Sequence, residues 1–420
     1  MKQIILTIIA IMATATAGAQ TDSLATYMRV AAQNNPQVQA QWSAYQSAME
    51  AVCPAGTLND PTLNVGLYPK AMELVNGKQV ATFSLMQMFP WPGTMKAAKT
   101  EKLWQAKALY QKYRESGIDI AWQVEQQWYN ILATNEQVSA IRQNIDIIHR
   151  IQEQAIYKYK SPSGKKMGAN MSDQLRLESQ EVSLQEQLES ALSRLDLQKQ
   201  QLNLLMHRDP QSPLVFPDSI VLREMPVVQL SDVESSSPQL NALKAQAESA
   251  SAMGEKARKM GMPMVGVGVQ YMLNKKTDMP RMEDMNGMDM WMPMLSVSLP
   301  VYRHKVKAQQ RQAQLMRQGV EQSYERQLDQ IESQILSIQQ RADDVQRKIR
   351  LYNRQLELLG NTLDLMQAEY AVGGTSVTDI LSTNRQQVDY ALKKAEAKAK
   401  YNMIVAELEK LAAVNDYSSL

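Results

Sequence analysis

A chain of 420 residues with 45 basic and 43 acidic side chains carries a net charge of only +2, so it has no excess of positive charge with which to hold nucleic acid. A single cysteine, Cys53, excludes an internal disulfide and is expected to be a small buried side chain. The 3 phenylalanines set against 27 methionines suit a long helical protein that needs little aromatic core.

The chain opens on Lys2, an apolar run from Ile4 to Met12 and small residues ending Ala17-Gly18-Ala19. This reads as a secretory signal peptide over residues 1–19, too short in its apolar part to span a membrane as a helix. A helix is expected over about 23–56, then two alternating segments at about 61–70 and 79–90. A long helix over about 93–159 and a shorter one over about 172–206 follow. Pro210, Pro213, Pro217 and Pro226 mark 208–230 as an irregular connector with room for a short strand. The same plan then recurs: a helix over about 231–259, strands near 263–273 and 288–300, a long helix over 303–371 and a shorter one over 376–412, with a tail at 415–420. The long helix of the second half carries apolar residues in steps of four and three from Tyr324 through Ile331, Ile338, Val345 and Leu363 to Tyr370. That is a coiled-coil seam, and about 68 residues at 1.5 Å each run to roughly 100 Å.

The recurrence is an internal duplication. Asn35-Pro36-Gln37-Val38 is echoed by Ser237-Pro238-Gln239-Leu240, about 202 residues on, and without a gap Leu63 to Leu67 aligns with Val265 to Val269. Ser84 to Trp91 then matches Met294 to Val301. The repeats are 20–207 and 231–414, with β-hairpins at 61–90 and 263–300 and coiled-coil hairpins at 93–206 and 303–412. Each alternating segment has the length of a tilted strand crossing a bilayer, and Tyr68, Phe89, Trp91, Tyr271, Trp291 and Tyr302 gather at strand ends as interfacial aromatics do. Four strands cannot close a barrel, and open edges are not tolerated in lipid, so a barrel must be shared among chains: eight strands from two, twelve from three.

Eleven methionines fall between 260 and 294. On alternating strands Leu295, Val297 and Leu299 take the outward face, which leaves Met290, Met292 and Met294, and by the same parity Met262 and Met264, facing the lumen. Met279, Met282, Met285 and Met288 step by three through a polar loop. Thioether sulfur is a soft ligand, and this set points to transient contacts with Cu(I) or Ag(I), in competition with methionine as ordinary core filler. His149, His207 and His304 are scattered and no nucleophile–base constellation or phosphate loop occurs, so neither an enzyme nor a cofactor is expected.

Together the signal peptide, the duplicated plan, and the elements Asn35-Pro36 and Pro90-Trp91-Pro92-Gly93 resemble the TolC family of outer-membrane efflux proteins. The most specific match is the tip from Tyr370 through Gly373, Gly374, Ser376 and Asp379 to Leu381, with a weaker copy at Tyr159, Gly168, Ser172, Asp173 and Leu175. The resemblance implies a mainly α fold with a membrane β-barrel: a homotrimer with a shared twelve-stranded barrel in the outer membrane and a periplasmic helical tunnel. Its implied partners are outer-membrane lipid, a periplasmic adaptor (membrane fusion protein) and an inner-membrane pump of the RND type. It also implies that Asp379, and Asp173 in the first copy, line the periplasmic aperture; Ser382 stands where the family's namesake has a second aspartate. Gly373 and Gly374 are expected to permit the turn, and Thr375 or Ser376 to cap the following helix. Lys158, Lys160, Lys165 and Lys166 make the other tip basic. The methionines set the chain nearest the copper- and silver-efflux (CusC-like) branch, although it lacks that branch's lipidated N-terminal cysteine. The leading expectation is a passive exit duct for Cu(I) or Ag(I); drug efflux or type I protein secretion through the same fold, and a soluble periplasmic coiled-coil adaptor, are the rivals.

Overall fold

The computed structural model describes residues 24–74, 77–160, 171–278, 284, 286–372 and 374–414, with 158, 159, 371 and 372 as backbone only. The expected signal peptide, the tail at 415–420, Met279, Met282, Met285, Gly168, Gly373, Lys165 and Lys166 lie outside the described residues.

Three helices come first among the described residues, α1 (Leu24–Asn34), α2 (Pro36–Glu50) and α3 (Val52–Ala55), followed by strands β1 (Thr62–Leu74) and β2 (Gly77–Phe89). Helices α4 (Thr94–Lys160) and α5 (Met171–Leu205) complete the first half. The second half runs α6 (Leu230–Ser236), α7 (Pro238–Met260), β3 (Met264–Lys275), β4 (Met290–Ser298), α8 (Arg303–Val372) and α9 (Val377–Leu411).

The single opening helix expected in each half is broken, and at the same repeat position. Proline cannot donate its backbone hydrogen bond and pushes the residue before it out of the helical region. Asn35 therefore ends α1 and starts α2: its side-chain oxygen accepts from the Gln37 amide at 2.9 Å, while its Nδ2 donates to the Leu205 carbonyl at 3.0 Å. Ser237 takes an extended conformation between α6 and α7 for the same reason. Cys53 also departs from expectation. It is exposed, because the single turn of α3 puts Val52 inward and Cys53 toward solvent.

The chain divides into two compact units, each drawing on both halves. The first holds residues 24–39, 114–237 and 330–414. Its coiled-coil core joins Val138, Ile141, Ile148 and Ile151 of α4, Leu177 and Leu184 of α5, Leu363 and Tyr370 of α8, and Ile380 and Val388 of α9. Leu177, Leu184 and Ala191 recur every seven residues, as a seam between supercoiled helices requires. Each fully buried Ile or Leu contributes roughly 1.5–3 kcal/mol. Inside this core Asn384 donates to Asn144 at 2.9 Å, a buried polar pair that fixes the axial register. No strand forms in 208–229; the connector is tied down by side chains instead. The Ile220 amide donates to Glu136 at 2.8 Å, the Arg223 amide to Asn402 at 3.0 Å, and Asn402 back to the Val221 carbonyl at 2.8 Å.

The second unit holds residues 40–113 and 238–329 and contains the whole sheet. The sheet is antiparallel with order β1-β2-β3-β4, so the two hairpins join through β2 and β3 and leave β1 and β4 as edges. The Pro90-Trp91-Pro92-Gly93 turn carries β2 into α4, with Gly93 at φ +84°, a conformation that other residues rarely adopt. Among the described residues no helix is long and apolar enough to cross a membrane.

Candidate functional site

In an antiparallel sheet, residues directly opposite one another point to the same side, so the register sorts the side chains into two faces. One face carries Leu63, Val65 and Leu67 of β1, Phe83 and Leu85 of β2, Val265, Val267, Val269 and Tyr271 of β3, and Trp291, Leu295 and Val297 of β4. Every one of these is exposed, up to 74 % for Leu295 and 72 % for Leu67. Phe83, Tyr271 and Trp291 fall in one row across three strands. So large an apolar surface marks a contact with something other than water.

The opposite face carries Thr82, Ser84, Gly266, Gly268, Gln270, Ser296 and Ser298, together with methionines. Met290 pairs with Met272, Met292 with Gln270, and Met294 with Gly268, while Met86 lies across Gly268 on the other side. Met264 shares this face through its pairing with Ser298, and Met88 through Gly266. The expected parity for Met264, Met290, Met292 and Met294 is therefore the parity of the sheet. Met262 lies just before β3 and Met288 just before β4; both are exposed and neither belongs to a strand. Met86 and Met88 are the additions that sequence reasoning missed, although their step of two in Met86-Gln87-Met88 is the same signal as Met290, Met292 and Met294.

Two glycines keep this face open. A Cβ at Gly266 would lie 2.4 Å from the Met88 sulfur, and one at Gly268 would lie 2.7 Å from the Leu85 carbonyl oxygen. The Met88 side chain occupies the room left at Gly266, and the β2 backbone the room left at Gly268.

At the tip between α8 and α9, in the first unit, Ser376 is the N-cap of α9. Its Oγ accepts from the Asp379 amide at 3.2 Å and donates to the Asp379 carboxylate at 2.7 Å. Thr375 turns instead to Glu369 at 2.6 Å. The exposed Asp379 thus has a structural role in the cap, and Ser382 donates to its carbonyl at 2.8 Å. Gly374 does not use the left-handed backbone region, and a Cβ there would make only an ordinary 3.6 Å contact with Glu369, so the turn does not depend on that glycine. Ser172 is exposed and Asp173 half-buried in the first turn of α5, where the Asp173 charge adds to burial in pushing up the Tyr370 phenol. Arg176 donates to Thr378 and Arg385 to Gln180, so the α5 and α9 tips sit side by side with acidic and basic groups interleaved. Lys160 is exposed at the end of α4.

One charged cluster in the first unit had no sequence signal. Arg223 of the connector bonds both Glu125 of α4 and Glu409 of α9, and Glu125 is only 1 % exposed. Burial pushes the Glu125 carboxyl up to about 7 against the attraction of Arg223, with the nearby Glu409 adding to the rise. Among the described residues no group of three His, Cys, Asp or Glu side chains is placed to hold a metal ion. His149 pairs with Glu181 at 2.8 Å, and His304 packs edge-on against Tyr302.

Residues 229–414 match the sequence model of the family described as outer membrane efflux protein. No curated protein matches the chain in sequence. Solved structures share the fold over nearly its whole length, among them the following three. CusC is 15 % identical with a TM-score of 0.76, covering 93 % of this chain and 91 % of that one. The outer membrane protein VceC from Vibrio cholerae is 13 % identical with a TM-score of 0.75, covering 93 % and 96 %. The Neisseria gonorrhoeae MtrE outer membrane channel, in its open state, is 14 % identical with a TM-score of 0.74, covering 93 % and 89 %. The chain therefore resembles outer-membrane efflux proteins in sequence over its second half and in fold throughout.

Proposed function

We propose that this chain is the outer-membrane exit duct of a tripartite efflux system, a passive channel with no catalytic role. The observation that carries the reading is the sheet: one face apolar and exposed, the other polar and methionine-bearing, with two open edges. An apolar sheet face suits lipid, but an open edge in lipid leaves each backbone amide and carbonyl without a partner at several kcal/mol apiece. Pairing edge to edge with further copies removes that cost. Three copies give twelve strands and an interior wide enough for a wet pore. The helices then form the periplasmic tunnel, and the tips at Asp173, Ser172, Gly374, Ser376 and Asp379 face the adaptor and an inner-membrane pump.

For the cargo we propose Cu(I) or Ag(I). Soft thioethers repeated along the lumen, at Met86, Met88, Met264, Met290, Met292 and Met294, bind a soft cation weakly and in series, as conduction requires. Membrane fractionation tests the duct: recovery as a water-soluble monomer would remove the channel and favour the soluble-adaptor reading. A deletion strain complemented with Met288, Met290, Met292 and Met294 changed to serine tests the cargo. Lowered copper and silver tolerance is expected; tolerance equal to wild type would point instead to drug or protein export.

A further inference from the structure

At the foot of the methionine face, within the second unit, a pocket of about 350 Å³ is bordered by Met88 of β2, Met95 of α4, Met260 of α7 and Met264 of β3. We propose that these four methionines form a discrete thioether site for one monovalent soft metal ion, Cu(I) or Ag(I), at the entry to the sheet's methionine face. The proposal deepens the soft-metal reading by giving it a place where an ion rests.

Four observations carry it. The sulfur-bearing residues come from four separate elements, so no single helical or strand periodicity brings them together as it would a core stripe. They are not sealed in: Met260 is 54 % and Met264 38 % exposed, which leaves a path for an ion and argues against their being mere filler. Gly266 makes room for the Met88 sulfur, which settles over β3 beside Met264; a Cβ there would be 2.4 Å away from it.

The wall is also matched to a soft cation rather than a hard one. It contributes no carboxylate, imidazole or thiolate. Its two ammonium groups are already held, Lys256 by Glu101 at 2.9 Å and Lys259 by Glu255 at 3.5 Å and by the Gly93 carbonyl at 3.4 Å. Thr94, 8 % exposed, borders the same pocket, and its buried hydroxyl has no hydrogen-bond partner. Thioethers set the affinity order, with Cu(I) and Ag(I) far ahead of Zn²⁺ or Mg²⁺.

The test is silver binding by the full-length protein in detergent, titrated with silver nitrate in chloride-free buffer, with X-ray absorption at the silver edge on the loaded sample. One ion per chain in a sulfur shell is expected. Met95→Leu with Met260→Leu conserves volume and removes two sulfurs, and should weaken that ion by roughly tenfold or more. Gly266→Ala keeps all four sulfurs but displaces that of Met88, and should weaken it as well. Met316→Leu, an exposed methionine of α8 outside the sheet and the pocket, should leave it in place. Equal silver affinity in the Met95/Met260 variant and wild type, or a shell without sulfur, overturns the site. Since binding is read outside the cell, the two claims fail separately. An unbound wild type removes the site and leaves the duct, whereas a bound ion on a protein whose loss leaves silver tolerance unchanged supports the site and removes metal export.

Discussion

Replacing Arg223 with methionine isolates the buried charge cluster that fastens the connector. The substitution keeps most of the side-chain volume and leaves the backbone anchors alone, because the Arg223 amide still reaches Asn402 at 3.0 Å and Asn402 still reaches Val221 at 2.8 Å. It removes the cation that faces Glu125, 1 % exposed, and Glu409, 9 % exposed. Taking one partner from a buried pair costs about 3–5 kcal/mol, mostly through the charge left behind. The pH dependence follows from Glu125. Its carboxyl is raised from 4.5 to about 7 in the folded chain, so its contribution to stability is fully present below pH 4.5 and is lost as pH rises through about 7. Removing Arg223 takes away the attraction that opposed this rise. The deficit of the variant should therefore be largest near pH 8 and shrink toward pH 5, where the Glu125 carboxyl can be neutral. Thermal unfolding in detergent at both pH values measures it, with the rate of proteolysis within 208–228 as a local readout. Adding Glu125→Gln should restore much of the loss at pH 8. A variant within about 0.5 kcal/mol of wild type at pH 8, the range of an ordinary surface change, would refute the reasoning. So would a deficit that does not change with pH.

Two other perturbations probe the tip and the sheet. Ser376→Ala removes the hydroxyl that accepts from the Asp379 amide and should cost about 1 kcal/mol, seen as faster hydrogen exchange confined to the first turn of α9; unchanged exchange there would mean that another group caps the helix. Leu295→Arg places a charge on the exposed apolar face and should cost about 2–4 kcal/mol if that face meets lipid, lowering the assembled protein recovered in membranes. Met292→Arg, on the opposite face, should assemble normally; equal loss from both would mean that the two faces do not differ in surroundings.

Much of this architecture is local and was legible in the chain. The seam from Ile331 through Ile338 and Val345 to Tyr370 is a 3.5-residue period, and those residues are buried where the period puts them. The alternation of Leu295, Val297 and Leu299 against Met290, Met292 and Met294 sorted the faces of β4 before any pairing was known, because a strand's period of two needs no partner. The duplication located both hairpins, although it treated Asn35-Pro36 and Ser237-Pro238 as landmarks inside a helix where each is a break.

What depends on residues far apart in the chain had no such signature. The union of the hairpins through β2 and β3 puts Met86 and Met88 beside the methionines of the second half, and only that register reveals one continuous face. Met95 and Met260 reach the pocket at its foot because two helices end there. Glu125, Arg223 and Glu409 are spread over three elements, and none is unusual in its local sequence; their burial follows from how the connector lies across α4 and α9. Cys53 is the converse case, a residue type that is usually buried, turned outward by one short helical turn. The sequence by itself determined the elements and the face each side chain takes along them, since backbone geometry sets those periods residue by residue. Which faces meet, and hence where sulfur and buried charge collect, was decided only by tertiary structure, because contact between distant segments is a property of the whole packed chain.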